Sequence, residues 1–187
     1  MLFVKIQYLG TAAAEGWPAL FCTCENCERA RKFGGKNIRT RSQSIIDDRL
    51  LIDFPADAYF HALNYHIDLP SIEHLLITHS HEDHFYPLDI ILKSEPYAYG
   101  GTKKIHVYGN DVVTKMMHKA AIDSGIDENC VVPVYINPFE PFSAGEYTVT
   151  ALVADHMENR ETCYNYIIEK NGKRLLYAHD TGVFPAM

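Results

Sequence analysis

The stretch Leu75-Leu76-Ile77-Thr78-His79-Ser80-His81-Glu82-Asp83-His84 decides how this chain is read. Its first half is a short apolar run of the kind that forms a buried strand. Its second half delivers three imidazoles and two carboxylates to the C-terminal end of that strand. Nitrogen and oxygen donors gathered around one point suit zinc and its first-row neighbours, while carboxylate also accepts harder ions. So many ionisable groups would repel one another without a cation. A metal accounts for that crowding; a polar surface loop with chance histidines does not.

Outward from this cluster, the pattern alternates strands and helices. Residues 2–9 alternate apolar and polar, as in a half-buried strand, and Gly10 to Pro18 is a loop of small residues. Glu25 to Phe33 predicts a short helix ending at Gly34-Gly35. Ser44-Ile45-Ile46 and Leu50 to Asp53 predict a hairpin around Asp47-Asp48-Arg49. Pro55 opens a helix to about Tyr65, Leu75–Thr78 is a strand, and Asp83–Lys93 is read as the next helix. Then come a strand at Ile105–Tyr108 and a helix over Asp111–Ser124. Strands follow at Val131–Ile136, Glu146–Asp155, Cys163–Glu169 and Arg174–Tyr177, the last two joined by an Asn171-Gly172 turn. Such an order indicates a layered α/β fold. No repeat, linker or low-complexity tract interrupts it, so residues 1–187 are expected to form one domain.

With 47% hydrophobic and 22% charged residues the composition is that of an ordinary globular chain. The formal charge of −7 disfavours polyanion binding as the main role. Nucleic acid is therefore an unexpected partner, although bound cations would still admit small phosphorylated substrates. Arg29, Arg31, Lys32, Lys36, Arg39 and Arg41 lack interleaved aromatics and read as a solvated face, with Arg39 or Arg41 a weak candidate for phosphate contact. The N-terminus is too short and interrupted for a signal peptide, and no apolar run is long enough for a membrane helix. Of five cysteines, Cys22, Cys24 and Cys27 crowd together, which reads as metal ligation in a reducing compartment. A cytoplasmic location is expected.

His-x-His-x-Asp-His after a strand, with further donors after later strands, resembles the metallo-β-lactamase superfamily. His156 in Ala154-Asp155-His156 and Asp180 in Ala178-His179-Asp180-Thr181-Gly182 match the later pieces, and Leu51-Ile52-Asp53 matches an early strand-end aspartate. The resemblance implies an αββα sandwich. It also implies two divalent ions, zinc or manganese, sharing a hydroxide nucleophile. His79, His81 and His156 would hold the first ion, Asp83 and His84 the second, and Asp180 would bridge them. Asp83 and Asp53 would serve catalysis, Asp53 by supporting a ligand histidine. His179 is left out of this set, because neighbouring side chains on extended chain point apart.

Leu9 to Pro18 followed by Cys22-Thr23-Cys24-Glu25-Asn26-Cys27 is similar to one branch of the superfamily, the phosphodiesterase of the carbon–phosphorus lyase pathway. That likeness implies a structural zinc on Cys22, Cys24 and Cys27, and hydrolysis of small, including cyclic, phosphodiesters. The pyrroloquinoline-quinone biosynthesis protein, a metal-binding accessory or carrier, also resembles the N-terminal segment but lacks the full histidine cluster. Ribonuclease Z shares the cluster and uses a protruding arm that nothing here resembles. The pattern leaves room for a homodimer. Thr181 to Met187 is all that follows Asp180, so the sandwich is expected to be incomplete at its C-terminal side. The second ion would then lack its last histidine.

Overall fold

The computed structural model describes residues 4–100, 103–125, 130–156 and 160–182. Strand β1, Ile6–Gly10, pairs antiparallel with β2, Gln43–Ile46. Asp47 and Asp48, at φ 50° and 57°, turn β2 back into β3, Leu50–Ile52. From β3 the sheet runs parallel through β4 (His74–Leu76), β5 (Ile105–Gly109) and β6 (Val131–Tyr135), in the order β1 to β6. A second, antiparallel sheet has the order β10-β9-β8-β7, from Lys173–Tyr177, Tyr164–Lys170, Tyr147–Val153 and Pro141–Ala144.

Both faces of the central strands are covered, which is why Leu50–Ile52 and Leu75–Ile77 read as unbroken apolar runs, whereas the edge strand β1 alternates. In β3 the alternation of side chains divides Leu51 from Leu50 and Ile52. Leu51 joins a core with Ala58 of helix α2 (Ala58–Tyr65), Ile90 of α3 (Pro87–Ile90) and Val113, Met117 and Ala120 of α4 (Asp111–Ser124). Leu50 and Ile52 join a core between the sheets with Tyr147, Val149, Tyr164, Tyr166 and Tyr177. Each buried Leu or Ile stabilises by about 1.5–3 kcal/mol relative to exposure. The layers are thus helix, sheet, sheet. The fourth layer of the expected sandwich does not occur among the described residues, and no described helix is long and apolar enough to cross a membrane.

The hairpin, the Asn171-Gly172 turn and the helix α1 at Glu25–Phe33 form as expected. Asn110 caps α4 by accepting the Val113 N–H at 2.9 Å, and Gly125 ends it at φ 63°. The helix expected from Asp83 differs: it starts only at Pro87 and passes into a 3₁₀ turn at Ile91–Lys93. Residues before Pro87 are held in a bridge instead, with Phe54 N donating to His84 O at 2.7 Å and Tyr86 N to Phe54 O at 2.7 Å. Proline then takes the first helical position, where no N–H is needed. Strand β7, beginning at Pro141, escapes sequence reading because proline weighs against a strand except at an edge, where β7 lies.

The topology creates one edge. Parallel register sets Ile52 beside Leu76, so Asp53 and the histidine cluster leave β3 and β4 side by side. Val153 pairs with Tyr164, and Tyr166 with Tyr177, so the chain leaves β8 and β10 at a common end. Tyr164 N donating to Thr78 O at 2.8 Å and Tyr166 Oη to Ile77 O at 2.6 Å fasten that end to the end of β4.

Candidate metal centre

Asp53 sits at φ 63°, fully buried, with its carboxylate turned towards the strand next door. It accepts from Thr78 N at 2.8 Å, from Thr78 Oγ1 at 3.0 and 3.1 Å, and from His84 Nδ1 at 2.7 Å. These bonds assign the protons. Because the Thr78 hydroxyl donates to Asp53, it accepts from His79 Nδ1 at 3.0 Å, which leaves His79 Nε2 bare. His84 likewise spends its Nδ1–H on Asp53 and presents Nε2 to the cluster.

Two donor groups result. His79, His81 and His156 bring their ring nitrogens together, with His79 Nε2 at 3.0 Å and His156 Nε2 at 3.4 Å from His81 Nδ1. His79, His84 and Asp180 form the second, so His79 faces both. One oxygen of Asp180, Oδ2, lies 3.2 Å from His84 Nε2, 3.8 Å from His79 Nε2 and 3.9 Å from His156 Nε2. Asp83 Oδ2 stands 3.5 Å from His84 Nε2. Five of the six expected donors therefore meet in these two groups, Asp83 stands beside His84, and Asp53 lies behind them.

The electrostatics match a cation. Burial and the neighbouring His84, His81 and His156 pull His79 down to about 2 despite Asp180, so it stays neutral and its lone pair is free. Burial opposes charge on His84, but Asp53 and Asp180 outweigh it and raise the imidazole to about 10. The close His179 and His84 rings hold Asp180 well below the usual carboxylate range. His84 Nε2 is buried and has no hydrogen-bond partner. A negative pocket that raises a proton affinity in this way also attracts a metal ion, which displaces the proton. The residues fit divalent metal.

Asp180 lies at φ 47°, so the chain there is not extended and the argument that turned His179 away does not hold. His179 Nδ1 lies 2.8 Å from Asp180 Oδ1, and its Nε2 lies 3.2 Å from Ser42 Oγ. His179 thus orients Asp180 from the side. Thr78 and Ser42 escape sequence reasoning as contributors because their roles arise from strand adjacency, and His179 because of the left-handed turn at Asp180. Asp155 N donates to Thr181 Oγ1 at 3.1 Å and Gly182 N to Asp155 O at 2.8 Å, binding the Asp180 loop to the His156 loop.

At the same edge, Thr11 N and Ala12 N donate to Thr40 O at 2.9 and 2.8 Å, anchoring the loop that leads to the cysteines. Gly10 permits this approach, since a Cβ there would stand 1.9 Å from Arg41 O. The sulfurs of Cys22, Cys24 and Cys27 all lie within 4.8 Å of one another, a spacing that could hold one ion. Hydrogen bonds from the Cys27 backbone and from Cys22 lower the exposed Cys24 thiol to about 7, which favours the thiolate a metal requires. Arg41 pairs with Asp57 at 3.1 Å.

The profile of the family described as "Beta-lactamase superfamily domain" matches residues 49–187. Ribonuclease Z of Listeria welshimeri is 26% identical over 148 residues, covering 77% of this chain and 47% of that protein. Ribonuclease Z of Listeria innocua is 25% identical over the same span. This chain spans about half the length of these relatives. Zn²⁺-bound PqqB from Methylobacterium extorquens superposes with a TM-score of 0.74 at 20% identity, covering 93% of this chain and 64% of the other. A diphosphatase from the PhnP family superposes at 0.69 with 23% identity, covering 89% of this chain and 62% of that one. Both structures share the fold.

Proposed function

The chain belongs to the β-lactamase superfamily, and from that premise we propose that it is a metal-dependent hydrolase of phosphodiesters, small and cyclic ones included. The observation that carries this reading is the position of Asp180 Oδ2, within 3.9 Å of His84, His79 and His156 at once, where two donor groups meet. His79, His81 and His156 would hold one divalent ion, His84 and Asp83 a second, and Asp180 would lie between them. Two such ions supply charge for the phosphate oxygens and lower the pKa of coordinated water. Asp53 is fully buried, so its work is on His84, whose Nδ1–H it holds, and not on the substrate. Asp83, also buried, stands 3.5 Å from His84 Nε2 and would act as a ligand beside it. Cys22, Cys24 and Cys27 would hold a separate structural zinc, in keeping with a reducing, cytoplasmic setting.

A second reading, cleavage of structured RNA, draws on the similarity to ribonuclease Z over 148 residues. The test is hydrolysis of bis-p-nitrophenyl phosphate, a cyclic ribose phosphate and a folded transfer RNA precursor, with zinc or manganese and with chelator. Metal-dependent turnover of the small diesters, lost in His81→Ala, is the expected result. Cleavage of the RNA alone would move the assignment to the nuclease. Tight metal binding with no turnover of any substrate would make the chain an accessory metal protein and end the proposal.

A further inference from the structure

Glu161 lies in the connection between β8 and β9, five positions after His156, and no part of the proposed chemistry uses it. Its carboxylate reaches across to the histidine turn. Ser80 N donates to Oε1 at 3.1 Å and to Oε2 at 3.2 Å, and Ser80 Oγ donates to Oε1 at 2.6 Å. Asn110 Nδ2 donates to Oε2 at 2.6 Å and to the neighbouring Thr162 O at 2.8 Å. Asn110 is itself fixed as the cap of α4 and is 1% exposed.

Ser80 stands between His79 and His81. Whatever fixes its N–H and hydroxyl fixes the direction in which both imidazoles leave the backbone. The same carboxylate ties that turn to Asn110 at the start of α4 and to the β8–β9 connection on which Glu161 stands. We infer that Glu161 is a positioning residue: it clamps the His79–His81 turn against the start of α4 and the β8–β9 connection, so that the His79 and His81 rings are aimed before any metal arrives. This inference rests on reading those histidines as a metal site. Every group facing Glu161 is a donor, so the side chain must accept at both oxygens. Glutamine has the same shape but one amine face, which would confront Ser80 or Asn110 with a second donor. Partners that orient metal-bound histidines from outside are worth about 10–100-fold in metal affinity when removed.

Cobalt(II) is a suitable probe, because imidazole and thiolate ligation absorb in different spectral ranges and the histidine group is followed apart from the cysteines. Wild type, Glu161→Gln, Ser80→Ala and His81→Ala would be titrated, with unfolding of each metal-free chain measured in parallel. The inference predicts cobalt binding at the histidines weakened about 10–100-fold in Glu161→Gln and by less in Ser80→Ala, with the cysteine signal unchanged. Ser80→Ala keeps the backbone bonds, so it reports even if Glu161→Gln fails to fold. Unaltered cobalt affinity in both variants, with only the unfolding transition lowered, would overturn the role of Glu161 while leaving the metal site intact. Wild type and His81→Ala with identical cobalt spectra would overturn the metal-site reading and this inference together.

Discussion

His84 Nδ1 lies 2.7 Å from Asp53 Oδ2, and both residues are fully buried. The pair fixes which nitrogen of His84 faces Asp180. Asp53 must also accept from Thr78 N on its other oxygen, so Asn at this position would have to turn its amide N–H₂ towards His84. His84 would then shift its proton to Nε2 and aim it at the place a metal would occupy. Asp53→Asn is predicted to weaken the second metal about 10–100-fold, while the His79, His81 and His156 group keeps its ion. Zinc competition against a chelator, run on both proteins, measures the difference. Two equally tight sites in the variant would contradict it.

The metal-free chain should have a stability maximum near pH 6.5. His84 has its pKa raised to about 10, above the ordinary value of about 6.5 in the unfolded chain. Its contribution is full below the unfolded value and is lost as pH rises through about 10. His79 has the opposite shift, down to about 2. The unfolded chain therefore binds the extra proton in acid, and stability is lost as pH falls below about 6.5. Asp180, held low, adds a further loss at more acid pH. Denaturant midpoints in chelator across this range check the curve, and a monotonic profile through neutrality would contradict it.

Tyr166→Phe removes a hydroxyl that is buried against Ile77 O at 2.6 Å. The carbonyl is left without its partner at the junction of the two sheets. A loss of about 1–3 kcal/mol is expected, read as a shifted denaturant midpoint at constant slope. Metal stoichiometry should not change, because Ile77 is no donor.

Much of this was legible in the chain itself. The donors His79, His81, Asp83 and His84 are contiguous, so their convergence needs only one strand to end. Asp53, His156 and Asp180 stand out only through the resemblance to a pattern of residues after strands, and strand register explains why they meet. The misreadings share a cause. The segment Asp83–Tyr86 looked helical, but the bridge between Phe54 and Phe85 claims it, a contact between distant residues that local propensity does not encode. His179 looked turned away because alternation assumes extended chain, and Asp180 is in the left-handed region. The proline-led strand β7 and the contacts of Thr78, Ser42 and Glu161 depend on which elements become neighbours.

Metal content per chain tests the central claim most directly. It would be measured by elemental analysis on wild type, Cys24→Ser and His81→Ala after exposure to zinc. The geometry predicts that Cys24→Ser loses one ion and keeps those of the histidine cluster, while His81→Ala loses metal there and keeps the cysteine-bound ion. Unchanged metal content in both variants would contradict it, and with it the assignment of donors on which the hydrolase reading stands.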